Sequence, residues 1–320
     1  MKDPLVSVLL LTFNRPAALA RCLDSLSRQT QQNFEVVLVD VSTPPNDALN
    51  HALVKAHGDR LVLRHLLRAN QGVAANRNFA AAQATATLLA FLDDDCIAHP
   101  DWLANLLEVA GRHPGALVGG AVQNGQPRSL IAQAGQLIHE AVDRHFNPDP
   151  NNASFAPGLN LAIPAAGFEA LKGNDGRFGR FGAEDRDFCR RWRAGGGRIV
   201  MAPLAVVAHD HRTDLRGFLR QYYGYGRGAW IHHKQCRTAT DFDLANDLDP
   251  DLDPDLDHDL NHDPIGSHLG LVRELIRSLN CQPWQQRLPL ALLLLGWELA
   301  NTAGVLHGAF CEARSKLWRR

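Results

Sequence analysis

An α/β fold with a mostly parallel central sheet, followed by C-terminal helices, is what this 320-residue sequence predicts. Three observations lead there. Short apolar runs alternate with helical patterns through the first two hundred residues, the rhythm of βαβ units in a Rossmann-like layering. A hydrophobic content of 45% supplies a core and excludes a wholly disordered chain. Charge is also segregated: residues 241–264 hold ten Asp and no Lys or Arg, leaving 33 basic against 24 acidic residues elsewhere, or +9. The formal net charge of −1 therefore describes neither a basic globule nor its acidic tract.

The elements follow in order. Val6–Thr12 is a continuous β-rich run, the pattern of a strand buried on both faces. A helix should follow, with Asn14 as cap, Pro16 in its first turn, and Leu19, Cys22, Leu23 and Leu26 on one face. Phe34–Val41 and Arg60–Leu67 read as the second and third strands, Gly72–Thr85 as a helix, and Thr87–Leu92 as the fourth strand. Trp102–Arg112 is helical and Ala116–Val122 another strand. Residues 123–157, with their Asn-Pro and Asp-Pro pairs, read as a loop-rich insertion. Gly173–Gly182 reads as a mobile glycine loop before a helix that starts near Glu184, and a basic amphipathic helix is expected over about 213–235. These pieces make one domain over 1–237. An acidic low-complexity linker (238–267) and a C-terminal helical segment (268–320) complete the chain.

Several chemistries are excluded by what is missing. No G-x-G-x-x-G lies between the first strand and its helix, no G-x-x-x-x-G-K-[ST] occurs, and no G-x-S-x-G elbow is present. Dehydrogenase, P-loop and hydrolase readings fall accordingly. Six well-separated cysteines without a C-x-x-C pair argue against a zinc site or disulfide scaffold and fit a reducing cytosol. Lys2-Asp3-Pro4 and the Asn14-Arg15-Pro16 that ends the first apolar run do not read as a signal peptide. A calcium site in the acidic tract lacks the closing Glu and glycine of a calcium loop.

Ligands of open α/β sheets bind at the carboxyl ends of strands, so strand-end polar residues are the candidates. Asp40, after the second strand, is placed to accept from a ribose or base; a turn or cap residue is the competing reading. Asp93-Asp94-Asp95 sets three carboxylates directly after a buried strand, an arrangement that repels itself unless donors or a cation neutralise it. Hard oxygen ligands beside a diphosphate suit Mg2+ or Mn2+. Glu184-Asp185 opens a helix, where acids also serve as mere dipole partners. His209 ends the apolar run Leu204–Ala208, and His211 follows two residues on.

In order, the segments 6–16, 35–43, 70–80, 91–103, 181–196 and 208–212 resemble the family 2 glycosyltransferases of the GT-A fold, over roughly residues 5–235. The resemblance implies an inverting enzyme that moves a sugar from a nucleotide-diphosphate sugar to a hydroxyl of a glycan or lipid-linked acceptor. It implies a nucleotide pocket lined by Thr12, Asn14 and Asp40, with Arg77 reaching the nucleotide or its phosphates. Asp93 and Asp95 would be the outer members of a D-x-D motif, the first near the ribose and the last on the metal. Cys96 stands where the family pattern has a further Asp, so which of Asp93, Asp94 and Asp95 meets the ion stays open. His209 would complete the metal site, with His211 as its substitute. Asp185 matches the catalytic base, with Glu184 alongside. The implied donor nucleotide is UDP ahead of dTDP and GDP.

Two other classes compete: an inactive nucleotide-sugar-binding scaffold, disfavoured because Asp185 and the D-x-D are both present, and a sugar nucleotidyltransferase, whose Gly-rich loop is replaced by Thr12-Phe13-Asn14-Arg15-Pro16. Between Asp210 and Arg237 six basic residues face two Asp, beside Phe218, Tyr222, Tyr223 and Trp230. That pattern predicts a cytoplasmic protein with peripheral contact on the inner face of a membrane. A basic helix closing over the acceptor cleft is the alternative. The uncharged part of residues 288–310 is too short and interrupted to read as a transmembrane span. Nucleic acid is not an expected partner, since the acidic tract would repel it.

Overall fold

The strand that opens the chain is also the centre of its sheet. β1 (Val6–Thr12) is an unbroken apolar run and pairs in parallel with β2 (Phe34–Asp40) on one side and β4 (Leu88–Asp93) on the other. Beyond β2 lies β3 (Val62–Leu67), again parallel. Beyond β4 come β7 (Asn160–Pro164), β6 (Leu117–Asn124), β8 (Ile199–His209) and the short β5 (Cys96–Ala98), giving the order 3-2-1-4-7-6-8-5. β7 runs antiparallel to both neighbours, β6 and β8 are parallel, and β5 is antiparallel to β8. The computed structural model describes residues 3–179, 182–243 and 264–317, with side chains described to residue 236 and again over 269–314.

Helices α1 (Pro16–Leu26), α2 (Asn46–His57), α3 (Val73–Gln83) and α4 (Trp102–Arg112) cover the sheet. One face of the sheet packs Leu19, Cys22, Leu23, Leu26, Trp102 and Leu103 against the inner residues of β1, β2 and β4. The other packs Phe168, Phe188 and Trp192, from α6 (Ala165–Ala170) and α7 (Glu184–Ala194), against Leu9, Val37 and Phe91. Burying such side chains contributes about 1.5–3 kcal/mol each. Trp102 is fully buried and donates its indole N–H to Asn160 Oδ1 at 2.8 Å, which fixes β7 beneath α4.

The region read as a loop-rich insertion differs. α5 (Leu130–Phe146) occupies its centre, capped by Ser129, whose hydroxyl accepts the Ala132 N–H. Its Ala134, Leu137, Ile138 and Ala141 belong to a third core with α8 (Leu215–Asp243), α9 (Pro264–Asn280) and α10 (Trp284–Leu317). The physical reason is periodicity: apolar residues three and four apart outweigh the flanking Asn-Pro and Asp-Pro signals. α8 and α10 meet at two glycines. A Cβ on Gly226 would lie 2.0 Å from the Asn301 carbonyl oxygen, and one on Gly304 would lie 2.1 Å from that of Tyr223.

Two further expectations change. Asn14 is no helix cap: it sits at φ 54°, and its side-chain oxygen accepts the Thr43 N–H at 2.9 Å. α10 is continuous, with Trp284–Arg314 long and apolar enough to cross a membrane by length and composition, so the apolar stretch is longer than its uncharged core suggested. Most of the acidic linker expected over 238–267, namely 244–263, lies outside the described residues, as do Arg180 and Phe181 of the glycine loop.

Candidate active site

Strands β1, β2 and β4 all end on the same edge of the sheet, and β1 lies where the strand order reverses, the position at which open α/β sheets bind ligands. Thr12, Asp40 and Asp93 are the last residues of those strands. β5 adds the other member. Cys96 pairs in register with His209, and the Asp210 N–H donates to the Asp95 carbonyl at 2.8 Å. That pairing brings the end of β8 against the acidic run, and His209 Nε2 stands 3.6 Å from Asp95 Oδ1. Cys96 itself is fully buried beside Cys22, and burial pushes its thiol well above the ordinary range, so it takes no part in the polar cluster.

The three aspartates are not equivalent. Asp94 is fully buried, accepts the Thr12 hydroxyl at 2.7 Å and pairs with the Arg15 guanidinium. Burial raises its pKa to about 7, against the opposing pull of Arg15. Asp95 gives one oxygen to the same guanidinium, while Oδ1, the atom facing His209, has no hydrogen-bond partner. Asp93 receives Arg77 Nη2 at 2.9 Å, and Nη1 of the same guanidinium donates to Glu184 at 2.9 Å. Burial alone would lower the Arg77 pKa, but Asp93 and Glu184 together raise it. Arg77 thus ties the end of β4 to the start of α7. Burial pushes Glu184 up as well, reinforced by Asp185 and opposed by Arg77.

Asp185 is presented by local backbone geometry. Gly182 and Ala183 both take positive φ, 77° and 72°, immediately before α7. A non-glycine residue there is strained by about 1 kcal/mol or more. The helix therefore starts abruptly, and Asp185 Oδ2 accepts the Gly158 N–H at 3.1 Å. Asp185 lines a narrow pocket with Arg77, Gly158, Phe168, Asn174 and Phe188. Gly158 has no alternative, since a Cβ would lie 2.5 Å from Arg77 Nη1.

Residues 7–163 match the family model for glycosyl transferase family 2. The validoxylamine A glucosyltransferase of Streptomyces hygroscopicus subsp. jinggangensis is 31% identical over 223 residues, covering 60% of this chain and 52% of that one. The pre-mycofactocin glycosyltransferase of Mycobacterium tuberculosis is 29% identical over 229 residues, covering 70% and 46%. Residues 7–163 are thus similar to the sugar-transferring domain of glycosyl transferase family 2. The chain spans about half the length of these relatives. Its fold is shared with a mannosyltransferase from Pyrobaculum calidifontis solved with GDP-Man and Mn2+ (TM-score 0.66, 17% identity, covering 97% of this chain and 88% of that one). TarS of S. aureus, solved with UDP, shares it less fully: TM-score 0.51, 19% identity, with 71% and 64% covered.

The structure gathers Asp93, Asp94, Asp95, His209, Glu184, Asp185 and Arg77 at one edge of the sheet. Thr12, Asn14 and Asp40 stand beside them, each already engaged within the protein. Asp40 is buried and accepts from Ser42 N, Asn50 and His65 at 2.9, 3.0 and 3.1 Å. Burial would raise its pKa, but these donors hold it below the ordinary value. His211 lies edge-on against the His209 ring, 4.4 Å between centroids, with its Nε2 3.0 Å from Gln136 Oε1, and burial lowers its pKa to about 3.

Among the described residues, no three His, Cys, Asp or Glu side chains converge into a closed metal cage. The unpartnered Asp95 Oδ1 beside His209 nevertheless fits a divalent ion that keeps most positions for phosphate and water. Sequence reasoning missed Arg15 and Gly158 as site residues. Neither carried a local signal: Arg15 meets Asp95 across 80 residues, and Gly158 lies 27 residues before Asp185.

Proposed function

We propose that the chain transfers a sugar from a nucleotide-diphosphate sugar to an acceptor hydroxyl with inversion at the anomeric carbon, Asp185 acting as general base. The observation that carries this reading is the Arg77 bridge, which links the Asp93 end of β4 to the Glu184-Asp185 start of α7 through two hydrogen bonds of 2.9 Å. Donor-side acids and candidate base are thereby held in one rigid frame. The relatives named as glycosyltransferases, and the fold shared with proteins solved with GDP-Man and Mn2+ or with UDP, support the donor class.

The steps follow from these residues. Asp95 and His209, with Asp93, would hold Mg2+ or Mn2+, whose charge would offset that developing on the departing diphosphate. A hydroxyl is a poor nucleophile at neutral pH, so Asp185 takes its proton as the oxygen attacks. The new bond joins the acceptor oxygen to the anomeric carbon, and the bond from that carbon to the diphosphate oxygen breaks on the opposite face. Gly158 N–H fixes the rotamer of Asp185, and Glu184 and Arg77 hold the helix start. Thr12, Asn14 and Asp40 shape the walls against which UDP, or an alternative nucleotide, would lie.

The acceptor is a glycan or lipid-linked molecule in this reading, and the chain works on the cytoplasmic side of a membrane. Support comes from α10, whose Leu288, Leu292, Leu295, Leu299, Leu306 and Phe310 form an exposed apolar stripe, and from free cysteines throughout the described chain.

Asp185→Asn tests the base. Sugar transfer should fall by about 10²–10⁴-fold while nucleotide-sugar binding persists, as measured by product release and calorimetry. Transfer at the wild-type rate would overturn the assignment.

A further inference from the structure

One charge beside Asp185 has no role in this scheme. Arg186 follows the proposed base in the first turn of α7 and is only partly exposed. Its guanidinium makes no hydrogen bond and no ion pair with any described residue, and it lies over the Phe146 ring, 5.0 Å from the ring centre, at the end of α5. Other arginines near the acids pair with them. Arg15 pairs with Asp94 and Asp95, Arg77 with Asp93 and Glu184, and Arg190 and Arg191 with Asp187. Burial pulls the Arg186 pKa below its ordinary value, partly offset by the thiol of Cys236 and by Asp185.

A partly exposed guanidinium without a protein acceptor keeps its five N–H donors available, in a fork matched to planar oxyanions. The position strengthens the case. The first turn of a helix presents unpaired backbone N–H groups and the positive end of the dipole, which favour an anion and disfavour a lone cation. Successive side chains on a helix diverge by about 100°. Arg186 therefore leaves α7 beside Asp185 but away from the Arg77 bridge, toward α5 and the Cys236 region of α8.

We propose that Arg186 binds an oxyanion, phosphate or carboxylate, carried by the acceptor, and so sets the acceptor hydroxyl against Asp185. The inference rests on the assignment of Asp185 as base and adds to it a chemical class of acceptor. A phosphate on a lipid and a phosphate on a soluble sugar present the same group to Arg186, so the test separates them.

The full chain is saturated with UDP and Mn2+, which fills the donor's own phosphate site, and titrated calorimetrically with inorganic phosphate, glucose 6-phosphate and glucose. Both phosphates should bind and glucose should not. Arg186→Gln should weaken phosphate binding about tenfold or more, the scale of a lost charge-assisted pair, and Arg186→Lys should restore part of it. A second arm measures sedimentation with phosphatidylcholine vesicles with and without phosphatidic acid. Dependence on Arg186 in the soluble arm alone assigns a soluble acceptor, and dependence in both assigns a lipid-borne one. Absence of phosphate binding to the nucleotide-saturated chain, or equal binding by Arg186→Gln, overturns the inference. Sugar-nucleotide turnover in the same preparations keeps the two readings apart. A chain that turns over donor but ignores phosphate loses only the anion site, and one that binds phosphate through Arg186 without donor turnover loses the enzymatic reading.

Discussion

The strand-end cluster and the terminal helices handle their difficult surfaces in opposite ways. At the carboxyl ends of β1, β2 and β4, charges of both signs crowd together and are answered inside the fold: Arg77 by Asp93 and Glu184, Arg15 by Asp94 and Asp95, Asp40 by Asn50 and His65. Along α10 the difficult surface is apolar and nothing described answers it. Leu290, Leu294 and Trp297 are buried against α5 and α8, while Leu288, at 70% exposure, and Leu292, at 61%, face outward on the same helix. The first region is complete by itself apart from what it binds. The second is shaped to be completed by another surface.

The contrast is broken most severely at Arg77. Arg77→Met leaves Asp93 and Glu184 facing each other without their shared cation, and breaking a buried pair in this way costs about 3–5 kcal/mol. Urea denaturation would measure it. Because Glu184 is itself buried, Arg77→Met combined with Glu184→Gln should cost less than the two single changes added together. Strict additivity would mean that the bridge is not a coupled unit.

How much of this was legible beforehand depended on distance along the chain. β1, β2 and β4 were readable because a strand buried on both faces writes an unbroken apolar run, and the acids at their ends stand next to those runs. The partners of those acids were not readable. Arg15 meets Asp95 across 80 residues, and Arg77 meets Glu184 across 107, with nothing local to announce either. β7 was hidden for a related reason: its first residue, Asn160, is held by the Trp102 indole and by the carbonyls of Ala121 and Ala205, all supplied by other elements. α5 was readable in principle, but proline pairs at its flank suggested a loop while its Leu137, Ile138 and Ala141 spacing said helix. Arg186 is the hardest case, because being unpaired is visible only once every neighbour has been placed.

A milder way to sharpen the contrast is acid. Glu35, near the start of β2, is buried, which would raise its pKa, but the Ser7 hydroxyl, the Thr85 N–H and hydroxyl, and Arg64 outweigh that and hold it below the ordinary value. A carboxylate depressed in the folded state binds fewer protons there than when unfolded. Its stabilisation is therefore present above the unfolded pKa of about 4.3 and is lost as pH falls through the folded value. Glu35→Gln should cost about 2 kcal/mol at pH 7 and progressively less below pH 4, read from urea midpoints across pH. A cost independent of pH would show that the hydrogen bonds matter and the charge does not.

The smallest effect on stability belongs to the uncovered side of α10, and its smallness is the point. Leu292→Asn with Leu299→Asn alters two outward residues, 61% and 64% exposed, and should shift unfolding by no more than about 0.5 kcal/mol each. Leu290→Ala, on the inward face, should cost about 2–5 kcal/mol. If the stripe lies against a membrane, the outward pair should nonetheless sharply reduce sedimentation with anionic vesicles, since each change removes apolar area from the bilayer boundary without touching the core. If instead the double variant loses stability in the absence of lipid, the stripe is already covered in solution. Its heptad-like spacing would then point to a second copy of this helix rather than to a bilayer, and the stability of the wild type would fall on dilution.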